Sequence, residues 1–139
     1  MKYALAAVLA VAVATVGVAQ VKRTPSPKGA EVYFIAPADG ATVSSPVTVK
    51  FGLKGMGVAP AGIAFENTGH HHLIIDADLP PLDAPIPADA NHVHFGKGQT
   101  EATVELKPGK HTLQLLLGDQ THTPHDPAVA SKKITITVK

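Results

Sequence analysis

From residue 31 to the C-terminus the apolar side chains recur with period two in short runs, and the runs are bounded by Pro, Gly, Asn or Asp. Successive side chains of an extended chain point to opposite faces, so this pattern predicts strands; a helix would repeat its apolar positions every three to four residues. Residues 32–35 predict a first strand ended by Pro37, with Asp39-Gly40 as a turn. Residues 47–53 put Val47, Val49, Phe51 and Leu53 on one face and Thr48, Lys50 and Gly52 on the other, so one face is expected in a core. Further strands are expected over 70–76, 93–95, 102–106, 111–117 and 134–138, with a Pro108-Gly109 turn before the sixth. About seven short strands separated by turn signals predict an all-β fold, an immunoglobulin-like antiparallel β-sandwich spanning residues 31–139. The connections 55–69, 77–91 and 118–130 exceed hairpin length, and in a compact domain long ordered connections are where function concentrates.

The pattern breaks before residue 31. Lys2, an apolar stretch to Val18 and small residues at Gly17 and Ala19 predict a secretory signal peptide over residues 1–19, cleaved to leave Gln20 first. The alternative is an uncleaved membrane anchor, but an apolar run of about 17 residues sits at the lower limit for crossing a bilayer, and no membrane attachment is expected after cleavage. Residues 20–30 carry Lys22, Arg23, Lys28, Pro25 and Pro27 without apolar periodicity and are expected to form a flexible leader.

Composition narrows the chemistry. The chain has no cysteine, which removes disulfides, thiolate zinc sites, iron–sulfur clusters and cysteine nucleophiles together. Setting aside the four basic residues before Glu31 leaves eight against eleven acidic ones, a net charge of about −3 that does not suit nucleic acid. An exported chain without cysteine fits a periplasmic or secreted location. Eight histidines in 139 residues are the conspicuous excess.

They fall in three groups: His70-His71-His72, His92-Val93-His94, and His122 with His125 in the last long connection, while His111 stands alone. On a strand, residues i and i+2 share a face about 6.5–7 Å apart, so His70 with His72 and His92 with His94 can each turn toward one ion. If the third and sixth strands pair antiparallel, His70 and His72 lie beside the end of the sixth, where His122 and His125 follow. The candidate metal ligands are therefore His92, His94, His72, His122, His70 and His125, and the ion suited to imidazole is copper or zinc rather than calcium or magnesium. His71 and His111 share faces with apolar neighbours and read as structural. Met56 suits either a soft copper ligand or loop packing, and Asp76, Asp119 and Asp126 suit either partners that orient imidazoles or ordinary turn residues.

Several stretches carry a family resemblance: Val32-Tyr33-Phe34-Ile35, Thr68-Gly69-His70-His71-His72-Leu73, the Leu79-Pro80-Pro81-Leu82 and Pro85-Ile86-Pro87 loop, the run from Asn91 to Glu101, and that from Pro108 to Asp119. Together they resemble the bacterial domain of unknown function 4399 over nearly the whole predicted domain. The resemblance implies a small secreted bacterial protein and brings no biochemical activity with it. A narrower likeness, His92-Val93-His94-Phe95-Gly96, is to the copper strand of copper/zinc superoxide dismutase. It covers five residues, without that family's disulfide cysteines or a mappable bridging histidine, and reads as convergence on a His-x-His strand.

The expected function is a secreted or periplasmic metal-binding protein for copper or zinc storage, delivery or tolerance. The alternatives are an immunoglobulin-like scaffold or adhesion module with incidental histidines, and a metal-dependent redox or hydrolytic enzyme. No Gly-x-Ser-x-Gly elbow, phosphate-binding loop or His-Glu-x-x-His helix supports another chemistry.

Overall fold

The computed structural model describes residue 17 and residues 21–139; the signal peptide expected over residues 1–19 lies, Gly17 apart, outside the described residues. The described residues form nine strands and no helix: β1 (Glu31–Ala36), β2 (Thr42–Val43), β3 (Val47–Lys54), β4 (Gly57–Val58), β5 (Thr68–Ile75), β6 (His92–His94), β7 (Glu101–Val104), β8 (Gly109–Gly118) and β9 (Ile134–Val138). Each of the seven predicted runs overlaps a strand, although 70–76, 93–95 and 102–106 continue past the ends of β5, β6 and β7. The two-residue strands β2 and β4 add to them and have too few residues to show an alternation.

The strands make two sheets. One is antiparallel in the order β1-β3-β7; the other runs β2-β9-β8-β5-β4, with β6 also paired to β5 and parallel pairings at β2–β9 and β4–β5. The alternation read from the sequence supplies the core between them. Val32, Val47, Val49 and Phe51 from the first sheet meet Leu73, Leu113, Leu115, Leu117, Ile136 and Val138 from the second, all buried. Each such side chain taken from water contributes about 1.5–3 kcal/mol.

The expected antiparallel pairing of the third and sixth runs is the β5–β8 ladder, with His70 opposite Gly118, His71 opposite Leu117 and His72 opposite Leu116. That register sends Leu73, Leu115 and Leu117 into the core and His70, His72, Ile74 and Leu116 to the outer face. The outer face is covered too. The long connections after β5 and β8 fold back over it, and Ile74, Leu116 and Ile86 form a second small apolar cluster there. Consequently β5 is buried on both faces from Gly69 to Ile75, which is why its three consecutive histidines are all inside.

Within the leader expected over residues 20–30, hydrogen bonds tie the chain to the 124–126 segment from Arg23 onward. Ser26 donates its backbone N–H to the Asp126 carbonyl, Asp126 donates to the Thr24 carbonyl, and Arg23 donates to the carbonyls of Pro124 and His125. Prolines and cations in this stretch conceal a strand-like strap whose hydrogen-bond partner is a distant loop, a pairing that local periodicity does not register.

Candidate metal centre

Four imidazoles converge on the outer face of the second sheet. His70 and His72 project from β5, His94 from β6 directly opposite His72, and His122 from the connection after β8. One ligand nitrogen from each can be chosen so that all four lie within 4.8 Å of one another. Ring centroids stand 4.6 Å apart for His94 and His122, 4.7 Å for His70 and His72, and 5.1 Å for His72 and His94. His70 Nε2 and His122 Nδ1 are 3.2 Å apart, a hydrogen bond in which one ring donates and the other accepts. Nitrogens bound tetrahedrally at 2.0–2.1 Å stand about 3.3–3.4 Å apart, so the cluster reaches ligand spacing with side-chain movements of about an ångström.

Burial makes the arrangement unusual. His70 and His72 are completely covered, and His70 Nδ1 and His72 Nδ1 have no hydrogen-bond partner. A neutral imidazole carries one donor and one acceptor, and leaving either unpaired in the interior costs about 1–3 kcal/mol. Burial, reinforced by His94 and His122, pushes His70 down to about 4, and burial with the three neighbouring rings pushes His72 down to about 3. His94 is lowered by burial and by His122. These rings are neutral at neutral pH, and each keeps a lone pair on one nitrogen, which is what a metal ion requires.

The backbone makes room for the rings. A Cβ at Gly118 would stand 2.7 Å from His72 Cε1, and one at Gly96 would stand 2.3 Å from His94 Cε1, so neither position tolerates a side chain while the imidazoles keep their places. His122 itself has a left-handed backbone, φ 66°, a conformation uncommon outside glycine. It is held by Asp119, whose carboxylate accepts hydrogen bonds from the Thr121 N–H and hydroxyl, from the Thr123 N–H and, at 2.6 Å, from Thr24 of the strap. Burial acts to raise the Asp119 carboxyl, and these hydrogen bonds outweigh it to hold the group below its usual range.

The other two candidate ligands stand apart from the four. His92 shares the face of His94 but is turned to Asp89, with Nδ1 2.8 Å from the carboxylate. His125 is buried beside Gly69, bonds through Nε2 to the Thr68 carbonyl and leaves Nδ1 unpartnered. His71 lies on the core side against Phe51, with neither ring nitrogen partnered. His111 bridges Asp76 and the Lys107 carbonyl. Met56 packs on the main core. Asp76, Asp119 and Asp126 serve His111, the His122 loop and Arg23 respectively, and none bonds to a ring of the cluster.

A cavity of about 230 Å³ opens against His72, His94 and His122, with Pro85, Ile86, Pro87 and Ala88 as its opposite wall. A larger groove of about 480 Å³ lies between β1 and residues 130–134; it contains no histidine, and chemistry favours the smaller cavity. The wall at 85–88, the glycine seats and Thr24 are additions to the residues that the sequence points to, whereas Asp119 is among its candidate orienting partners. One of the glycines left a trace there, since Gly96 follows His94 by two.

An all-β domain of two sheets, with four imidazoles gathered on one sheet face beneath a covering loop, defines the class. The chain belongs to the family described as Domain of unknown function (DUF4399), whose model matches residues 49–139 and so includes the whole histidine cluster. No curated protein and no solved structure matches the chain significantly.

Proposed function

We propose that this protein is a secreted, periplasmic metal-binding protein of immunoglobulin-like sandwich fold that holds copper or zinc through His70, His72, His94 and His122 for storage, delivery or tolerance. The observation that carries the reading is the meeting of four imidazoles, two of them wholly buried with unpartnered nitrogens. His71 and His125 also keep unpartnered nitrogens away from the cluster, so it is the convergence of four rings on one point, and not burial alone, that sets these four apart. Four nitrogen donors and no carboxylate suit copper(II) and zinc, with copper(II) favoured by the general affinity order. His94 is exposed and His122 half-buried, so an ion can enter and leave without unfolding the sheet. That accessibility favours carriage of the ion over a purely structural role.

The test is a melting and copper electron paramagnetic resonance series on protein purified without an affinity tag. Ion at 100 times its dissociation constant adds about 2.7 kcal/mol to stability. His94→Ala with His122→Ala, both outside the deepest core, abolishes that gain and the nitrogen hyperfine pattern, while His92→Ala and His125→Ala leave both in place. Equal metal shifts in all variants, or no shift in the parent, refute the site.

A further inference from the structure

We infer that a metal ion in this centre keeps one coordination position open toward the cavity, and that the position takes a small monodentate donor of the size of azide or imidazole. The inference rests on the metal-binding reading above and adds a second ligand site to it.

The positions of the four rings set the direction. His72, His94 and His122 line the cavity; His70 does not, and it is fully buried on the sheet side. An ion drawn among nitrogens that lie within 4.8 Å of one another therefore has His70 behind it and the cavity in front. Copper(II) in tetragonal sites accepts a further ligand beyond four, and four-coordinate zinc expands to five.

The protein cannot fill that position with its own side chains. The facing wall consists of Pro85, Ile86, Pro87 and Ala88, none of which has a side-chain donor or acceptor. The prolines have no N–H, and the Ile86 N–H is already donated to the His122 carbonyl at 2.8 Å, which leaves the Ala88 N–H as the single uncommitted backbone donor of this wall. Nor is the wall free to collapse onto the ion, because Ile86 is anchored in the cluster with Ile74 and Leu116.

Size and polarity choose the ligand. A cavity of about 230 Å³ holds several waters, and therefore a ligand of a few heavy atoms, but not a peptide. A wall with no side-chain donor and one free backbone N–H, that of Ala88, pairs few oxygens of a multiply charged oxyanion such as phosphate, whereas a compact donor with a weakly hydrated body loses little on entry.

The experiment loads the full exported chain with one equivalent of copper(II) and adds azide, with phosphate in parallel. The expected result is a saturable azide-to-copper charge-transfer band with a shifted paramagnetic resonance spectrum, and no change with phosphate. Ala88→Trp, at an exposed rim position, keeps copper affinity and the azide-free spectrum but weakens azide binding by about tenfold or more, with Ala88→Leu as the smaller filling variant. Loaded copper that azide does not perturb, or equal azide affinity in parent and filled variants, overturns the open position and leaves the metal site standing. Failure to load copper or zinc at all overturns both.

Discussion

Bringing the metal-free protein from about pH 7.5 to about pH 5 is expected to remove about 6 kcal/mol of its stability. Burial holds His70 and His71 down to about 4 and His72 to about 3, with neighbouring histidines pushing His70 and His72 the same way. In the unfolded chain a histidine takes up its proton near pH 6.5. Between these values the unfolded state binds more protons than the native one, so stability is full above about pH 6.5 and falls as the pH drops toward the folded values. At about pH 5 the unfolded rings are almost fully protonated and the buried ones almost wholly neutral, a difference of about 2 kcal/mol for each of the three. The total is comparable with the roughly 5–15 kcal/mol that stabilises a small domain. His111 acts in the opposite sense: its hydrogen bond to Asp76 raises it, so its contribution is present below about pH 6.5 and fades as the pH rises. Urea unfolding followed by circular dichroism, in the presence of a chelator, measures the change. His71→Leu separates the core ring from the cluster, since it should recover about 2 kcal/mol at the lower pH and little at the higher. Equal unfolding midpoints at the two pH values, or a His71→Leu variant with the full acid loss, would refute the reasoning.

Two further outcomes follow from the surroundings of the rings. Thr24→Val removes the 2.6 Å bond to Asp119, and with it part of the restraint on His122; metal affinity measured by calorimetry should fall about tenfold, while Thr24→Ser should restore it. Identical affinities in the two variants would show that the strap does not position His122. Gly118→Ala places a methyl 2.7 Å from His72 Cε1, so the metal-free protein should lose about 1–3 kcal/mol in thermal unfolding and bind metal more weakly; a silent substitution would mean that His72 sits elsewhere.

Most of the sheet framework was legible because alternation is a local property. Val47, Val49 and Phe51 announce a half-buried strand within five residues, and the Pro-Gly turn marks the start of β8. The β5–β8 pairing was also within reach, and with it the meeting of His70 and His72 with His122. The separation of His92 from the other rings was not, because alternation puts residues 92 and 94 on one face and does not register that Asp89, three residues earlier, holds the His92 ring. The strap was hidden for a related reason. Thr24 and Ser26 have no apolar period of their own, and their order comes from carbonyls and a carboxylate about a hundred residues away in sequence. Leu116 and Ile74 show the same limit: their burial requires loops that return over a sheet face, which no strand pattern encodes.

The seating of the imidazoles against glycine backbone links positions far apart in the chain. Histidine at 72 and glycine at 118 are one steric decision written in two places, and His94 with Gly96 is another. Among members of the family these pairs are expected to be inherited jointly: a lineage that gives up the ring is released to place a side chain opposite it, and a lineage that acquires that side chain first has lost the room for the ring. The history of the centre should therefore be recorded as clearly in its glycines as in its histidines.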